Sequence, residues 1–195
     1  LRNSIYFIFF FCAFSAIQLQ AQNNVPINKL KSFGILVSQA VVGESLPEGP
    51  SYAPTLIQGN LRIPLLTNET RHQLTLLVQP QFNPVGNLPG QPQFTWEAGV
   101  NLGLAYEYLI HENVGILYAG AGIGPHFINV ETSQQANGFI FSDNLFVGMH
   151  QFVGNRSWFL TYELKLRHIS NAGLQNPNAG IDNVFLGFGV SYFLF

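Results

Sequence analysis

An eight-stranded antiparallel transmembrane β-barrel of the outer-membrane type is the fold class this sequence predicts, and three observations carry it. Only 9% of the 195 residues are charged, while 47% are hydrophobic and 14% aromatic. A water-soluble domain carries roughly 25% charged residues, so this surface is not built mainly for water. Beyond residue 22 no stretch is apolar for the roughly 20 residues that a membrane helix needs. Instead the chain divides into about eight segments separated by turn-rich breaks, and several of them alternate apolar and polar residues with period two.

The one long apolar run, Ile5 to Ile17, follows Arg2 and ends before Gln18-Leu19-Gln20-Ala21-Gln22. A basic start, a short apolar stretch and a small residue near the end read as a secretory signal peptide. Residues 1–21 are assigned to it, with cleavage near Ala21, and residues 22–195 to a single barrel domain. A retained anchor helix is the alternative, for which the run is short. The single cysteine, Cys12, lies inside this segment, so the mature domain has no disulfide. The bulky Phe9-Phe10-Phe11 before it argues against a lipoprotein cysteine.

The expected strands are 32–42, 54–65, 72–83, 93–109, 114–130, 138–152, 157–170 and 183–195. In the fourth, Phe94, Trp96, Ala98, Val100, Leu102, Leu104, Tyr106 and Tyr108 form one apolar face. Thr95, Glu97, Gly99, Asn101, Gly103 and Glu107 form the other. The seventh repeats the pattern, with Trp158, Leu160, Tyr162, Leu164 and Leu166 against Thr161, Glu163, Lys165 and Arg167. In the eighth, Val184, Leu186, Phe188, Val190, Tyr192 and Leu194 oppose Gly187, Gly189 and Ser191. The chain then ends on Tyr192-Phe193-Leu194-Phe195, a terminal aromatic strand of the kind that closes bacterial outer-membrane barrels.

Eight strands enclose an interior just wide enough for side chains to fill. Arg62, Glu97, Glu107, Glu163, Lys165 and Arg167 are therefore expected to pair inside, and the barrel is not expected to be a pore. Pro64, Pro80 and Pro125 each remove a ladder hydrogen bond, so strand ends, rims or bulges are their expected sites. His72, His111, His126 and His150 are scattered without metal-ligand spacing and read as rim or lumen residues. Gly120-Ala-Gly122-Ile-Gly124 is followed by no helix pattern, which excludes a phosphate loop. No Gly-x-Ser-x-Gly elbow occurs. The net charge of −2 gives no nucleic-acid footprint. No metal and no cofactor is expected.

The chemistry-bearing stretch is Arg167-His168-Ile169-Ser170-Asn171-Ala172-Gly173, followed by Asn176-Pro177-Asn178-Ala179-Gly180-Ile181-Asp182. His168 and Ser170 continue the outward series of Leu164 and Leu166. Asp182 is in phase with the outward Val184 and Leu186. All three are expected to meet on the outside of the barrel at one rim. A serine needs a base to take its proton, histidine does this near neutral pH, and a carboxylate orients the imidazole. The oxyanion needs donors nearby, for which Asn171, Asn178 and the backbone amides near Gly173 are the candidates. The competing reading of such a trio is ordinary rim chemistry, since His, Ser and Asp are common at strand ends.

These residues resemble the signature of the lipid A 3-O-deacylases, the PagL family. The resemblance covers about 20 residues closely, from His168-Ile-Ser170-Asn171-Ala172-Gly173 to Asn176-Pro177-Asn178-Ala-Gly180-Ile181, and the rest in architecture. It implies an eight-stranded outer-membrane barrel that hydrolyses the ester-linked acyl chain at position 3 of lipid A with a lipid-facing Ser-His-Glu triad. Ser170 and His168 fall on the serine and histidine of that pattern. The glutamate position, fourteen residues after the histidine, holds Asp182, whose arm is one methylene, roughly 1.5 Å, shorter. The implied partner is lipid A or lipopolysaccharide in the outer leaflet, and the implied location is the bacterial outer membrane. The alternatives are a non-catalytic structural or lipid-binding barrel, and a phospholipid esterase or acyltransferase.

Overall fold

The computed structural model describes residues 31–195 except 48, 50, 68–70, 87, 89, 92–93, 112, 155–156 and 195. The expected signal peptide, with Cys12, lies outside the described residues. The strands are β1 (Lys31–Ser45), β2 (Ser51–Tyr52), β3 (Thr55–Thr67), β4 (His72–Pro84), β5 (Trp96–His111), β6 (Gly115–Ile128), β7 (Gly138–Val153), β8 (Trp158–Ser170) and β9 (Ile181–Leu194). Every neighbour is antiparallel, and β1 pairs with β9 from Lys31↔Leu194 to Gly43↔Asn183. That pairing closes an eight-stranded barrel, leaving the two-residue β2 as an extra rung on the end of β1.

Closure makes the two-residue period decisive, because each strand has one face to the lumen and one to the outside. Outward positions carry Phe33, Ile35 and Val37 on β1, Leu102, Leu104 and Tyr106 on β5, Leu145 and Val147 on β7, and Leu186, Phe188 and Val190 on β9, all exposed. A continuous exposed apolar wall is what a barrel presents to hydrocarbon. Aromatic residues collect near both rims. Phe82, Phe94, Trp96 and Phe127 stack in series toward one end, while Trp158 and Tyr192 meet edge to face at the other.

The lumen is filled. Arg62 donates to Glu107 through Nε (3.2 Å), Arg167 is bidentate to Glu97, and Lys165 lies 3.1 Å from Glu163. All six are buried, as their inward phase requires. Tyr118 donates to Glu163 (2.9 Å), and Lys165 donates to Gln58 (2.8 Å). His126 and His150 are buried among these groups, while His72 and His111 sit at the turn end. Over the polar layer, at the end that carries the long connections, Leu46, Tyr52, Val85, Leu88, Ile128, Val130, Ile140, Ile169 and Ile181 pack into an apolar cap. The barrel is plugged by its own side chains.

Two expectations are corrected. Pro64 does fall at a β-bulge, where the β3–β4 register shifts between Pro64 and Leu66. Pro80 and Pro125, however, lie inside β4 and β6. The β3–β4 ladder skips Gly59 and Asn60, and the β5–β6 ladder skips Val100 and Asn101, without a register shift. The sheet tolerates two prolines in its wall by omitting rungs on one side, since each strand keeps its full ladder on the other. Strand β9 also begins two residues earlier than expected, so Asp182 is inside the ladder and not in the loop before it.

Connections at the end holding the two termini of the barrel are short turns, and those at the opposite end are longer. Short periplasmic turns and longer extracellular loops are the usual asymmetry of such barrels.

A buried charge that loses its partner is costly, about 3–5 kcal/mol. Glu97→Ala leaves Arg167 alone in the lumen and is expected to destabilise the barrel by about that amount, read by urea unfolding in detergent micelles. Leu145→Ala on the exposed wall should shift the same midpoint far less. Equal shifts would mean that the ionic layer does not hold the wall together.

Candidate active site

The site sits on the outer wall where β7, β8 and β9 approach the long-loop end. Its placement starts inside. Arg167 is inward and fixed by Glu97 and by Ser142 Oγ (2.9 Å). The next residue, His168, must then point outward. The register sets His168 directly opposite Asp182 on β9 and opposite Asp143 on β7. His168 Nδ1 and Asp182 Oδ1 are 2.8 Å apart, with the two side chains 41% and 75% exposed. Directly opposed residues on neighbouring strands are close enough for an aspartate to reach.

Ser170 is the last residue of β8, on the same face as His168 and two residues along, about 7 Å by strand geometry. Its register partner on β7 is Phe141, which meets Phe139 edge to face at 5.0 Å. The serine is thus flanked by an aromatic pair on the outer wall.

The other edge of the imidazole rests on Gly180. This glycine has φ +85°, and a Cβ there would sit inside van der Waals contact of His168 Cε1 and 2.9 Å from Nε2. Only a residue without a side chain lets the backbone pass beneath that edge. The ring is therefore held by a carboxylate on Nδ1 and by bare backbone beside Nε2.

The connection after Ser170 is built by Asn171, which is 1% exposed. Its Oδ1 accepts from Gly173 N–H (3.0 Å), and its Nδ2 donates to Gln175 O (2.9 Å). Asn171 N–H donates to Asn178 Oδ1 (2.7 Å). Among the three oxyanion candidates, the Asn171 side chain and the Gly173 amide are thus committed to the loop's own hydrogen bonds. Asn178 has its carbonyl pinned, and its amide nitrogen has no partner among the described residues. Ala172, with φ +53°, is the one described non-glycine residue in the left-handed region. Strain of this kind gathers at functional loops.

The 171–180 loop does not stand alone. Ala136 N–H donates to Pro177 O (2.8 Å), Ala179 N–H donates to Gln134 O (2.7 Å), and Gln135 bridges Asn178. The β6–β7 connection is a strut for the segment that carries Asn178. In turn, Glu131 N–H donates to Gln91 of the β4–β5 connection (3.1 Å). Sequence reasoning missed Gly180, Asp143 and this strut. Gly180 stood within the quoted motif. Asp143 was visible as an acid in the otherwise apolar outward series Phe139, Phe141, Leu145 and Val147. The strut leaves no trace in periodicity. No group of three or more His, Cys, Asp or Glu residues among the described ones is arranged to hold a metal ion.

Residues 60–191, more than half of the chain and the whole of this site, match the lipid A 3-O-deacylase (PagL) family. The chain belongs to that family. The crystal structure of the outer membrane enzyme PagL matches with TM-score 0.57 and 16% identity, covering 80% of this chain and 97% of that one. Neisserial surface protein A matches with TM-score 0.50 and 14% identity, covering 84% and 95%. At such identities the likeness to these two is one of fold. Comparison with curated proteins finds no sequence match. As a PagL-family member the chain is an outer-membrane barrel of the lipid A deacylase type.

Displacing a catalytic group by about 1 Å can cost about 10²-fold in rate. In this PagL-family barrel, Gly180→Ala is expected to lower kcat for ester hydrolysis by about that factor while KM stays nearly unchanged. Gly86→Ala is the control, because Gly86 has a similar φ of +93° but nothing within 4 Å of its added Cβ. Equal losses in both variants would assign the effect to backbone strain, not to the imidazole.

Proposed function

We propose that this barrel removes the ester-linked acyl chain at position 3 of lipid A, with Ser170 as nucleophile, His168 as base and then acid, and Asp182 as the group that orients His168. The observation that carries this reading is the 2.8 Å His168–Asp182 contact on the lipid-facing wall, with Ser170 two residues along the same face. A histidine–carboxylate pair exposed on an apolar wall has little to offer stability, because exposed ion pairs contribute about 0–1 kcal/mol. It has much to offer an ester held in the adjacent leaflet.

In the first step Ser170 Oγ attacks the acyl carbonyl carbon and its proton passes to His168 Nε2. The carbonyl oxygen becomes an oxyanion, for which Asn178 Nδ2 is the assigned donor. Collapse breaks the bond to the sugar oxygen, which takes the proton from His168 and leaves as a hydroxyl. The acyl group now rests on Ser170. Water, deprotonated by His168, then attacks the acyl-serine, and the freed carboxylic acid leaves as Ser170 regains its proton. Asp182 stabilises the imidazolium in both halves. The position of the site supports the same substrate, since the long-loop end of such barrels faces outward, where the outer leaflet holds lipid A.

The shorter aspartate is supported by register. Because Asp182 is the direct cross-strand partner of His168, an extra methylene is not needed to span the gap. Asp182→Glu should therefore retain activity, whereas Asp182→Asn should lower kcat by on the order of 10²–10⁴-fold.

Mass spectrometry of lipid A from cells expressing the parent chain or Ser170→Ala tests the whole reading. Loss of one hydroxyacyl mass with the parent alone is the expected result. Unchanged lipid A, with folded barrel recovered from the outer membrane, would count against this substrate. Release of fatty acid from phospholipid instead would move the reaction to another ester.

A further inference from the structure

Among the described residues the cations lie in the lumen or at the short-turn end of the barrel, and the site lies at the other end. Of the eight Lys and Arg residues, Arg62, Lys165 and Arg167 are buried in lumen ion pairs. Lys31 begins β1 and Arg71 precedes β4, both at the short-turn end. Arg156 follows β7 and precedes β8 in the sequence, and Arg2 and Lys29 precede the described residues. The four long connections, 46–54, 85–95, 129–137 and 171–180, contain no Lys or Arg at all.

The same end carries carboxylates. Asp143 and Asp182 are the only two aspartates in the sequence, and both are register partners of His168. Asp143 is exposed and has no hydrogen bond or ion pair among the described residues. Glu131 is exposed on the strut loop, and Glu44 is half-buried at the end of β1. Apart from Glu131, the exposed and half-buried polar side chains of the 130–137 and 171–180 segments are uncharged: Ser133, Gln134, Asn137, Gln175, Asn176 and Asn178.

We infer that the site selects glycolipid esters with no phosphate close to the scissile bond, so that its natural substrate is a phosphate-poor lipid A. The inference rests on the esterase reading above and narrows its substrate. A phosphate monoester carries about −1.5 to −2 charge, and Arg and Lys are the side chains that complement it. Here a phosphate beside the ester would instead meet Asp143 and Asp182 within a Debye length of about 8 Å. Saccharide hydroxyls and amides, by contrast, fit the amide side chains of the rim, which both donate and accept.

The test uses the full barrel in neutral detergent micelles with a chelator, so that no divalent ion masks the phosphates. Bis-phosphorylated lipid A and the same lipid A stripped of phosphate are compared by kcat/KM. The stripped lipid is expected to be hydrolysed about tenfold faster or more at low salt, with the ratio shrinking at high salt. Asp143→Asn and Glu131→Lys should each shrink it as well. Equal rates, or faster hydrolysis of the phosphorylated lipid, would overturn the inference and leave the esterase reading standing. If folded barrel hydrolyses neither, the esterase reading fails. Binding of the two lipids to the Ser170→Ala barrel then decides the inference alone: tighter binding of the stripped lipid upholds it, and equal or weaker binding overturns it.

Discussion

The clamp of Glu97 on Arg167 is the interaction on which the outer wall of this barrel depends. It is bidentate, fully buried and joined by Tyr52, whose hydroxyl donates to the same carboxylate (3.1 Å). Burial, with the Glu97 charge second, pushes the Tyr52 phenol well above its usual range, so it remains a donor. Because β8 pairs with both neighbours without a bulge, fixing Arg167 inside forces His168 outside. A slip of one residue would turn a guanidinium onto the lipid-facing wall, at a cost that is about 2–4 kcal/mol at mid-membrane and falls toward the rim, and would bury the imidazole in the lumen. The ion pair thus specifies register first, and stability follows from keeping it intact.

The loop end extends that order to the rest of the site. The apolar cap over the lumen includes Ile169 and Ile181, the residues that flank the connection carrying Asn171 and Asn178. The pairs Ile169↔Ile181 and His168↔Asp182 are consecutive rungs of one ladder, so packing inside and hydrogen bonding outside hold the same two strand ends. Above them the 129–137 segment lends two backbone hydrogen bonds to the 171–180 loop. A catalytic geometry on a loop is less exact than one on a strand. This structure puts His168, Ser170 and Asp182 on strands and leaves only Asn178, the proposed oxyanion donor, to a braced loop.

Much of this was legible in the sequence. The strand count, the outward phase of His168, Ser170 and Asp182, and the inward set of six charged residues all follow from period-two alternation, which is local. The inner pairing partners do not, because Arg62 reaches Glu107 and Arg167 reaches Glu97 across the lumen. The proline sites were misjudged for a related reason. A proline forbids one donor, but whether the sheet answers with a bulge, as at Pro64, or with missing rungs, as at Pro80 and Pro125, depends on the neighbouring strand. Gly180 has no local reason in the motif, since its reason is the edge of an imidazole twelve residues earlier. The role of Asp143 needed the β7–β8 register, which no single-strand pattern contains.

The exchange of glutamate for aspartate in the motif shows how register and side-chain length trade against each other. A carboxylate that approaches an imidazole from a diagonal rung, or from a loop, needs a long arm. One on the directly opposed rung needs less, and here β9 starts at Ile181, early enough to put Asp182 in that rung. The shorter arm also has fewer rotamers to lose on ordering. Against this, a short side chain cannot follow the ring if the ring moves, so its geometry depends more heavily on what lies beneath His168. That surface is the Gly180 backbone. Aspartate at 182 and glycine at 180 are therefore parts of one arrangement, in which the strand supplies the distance and the turn supplies the floor.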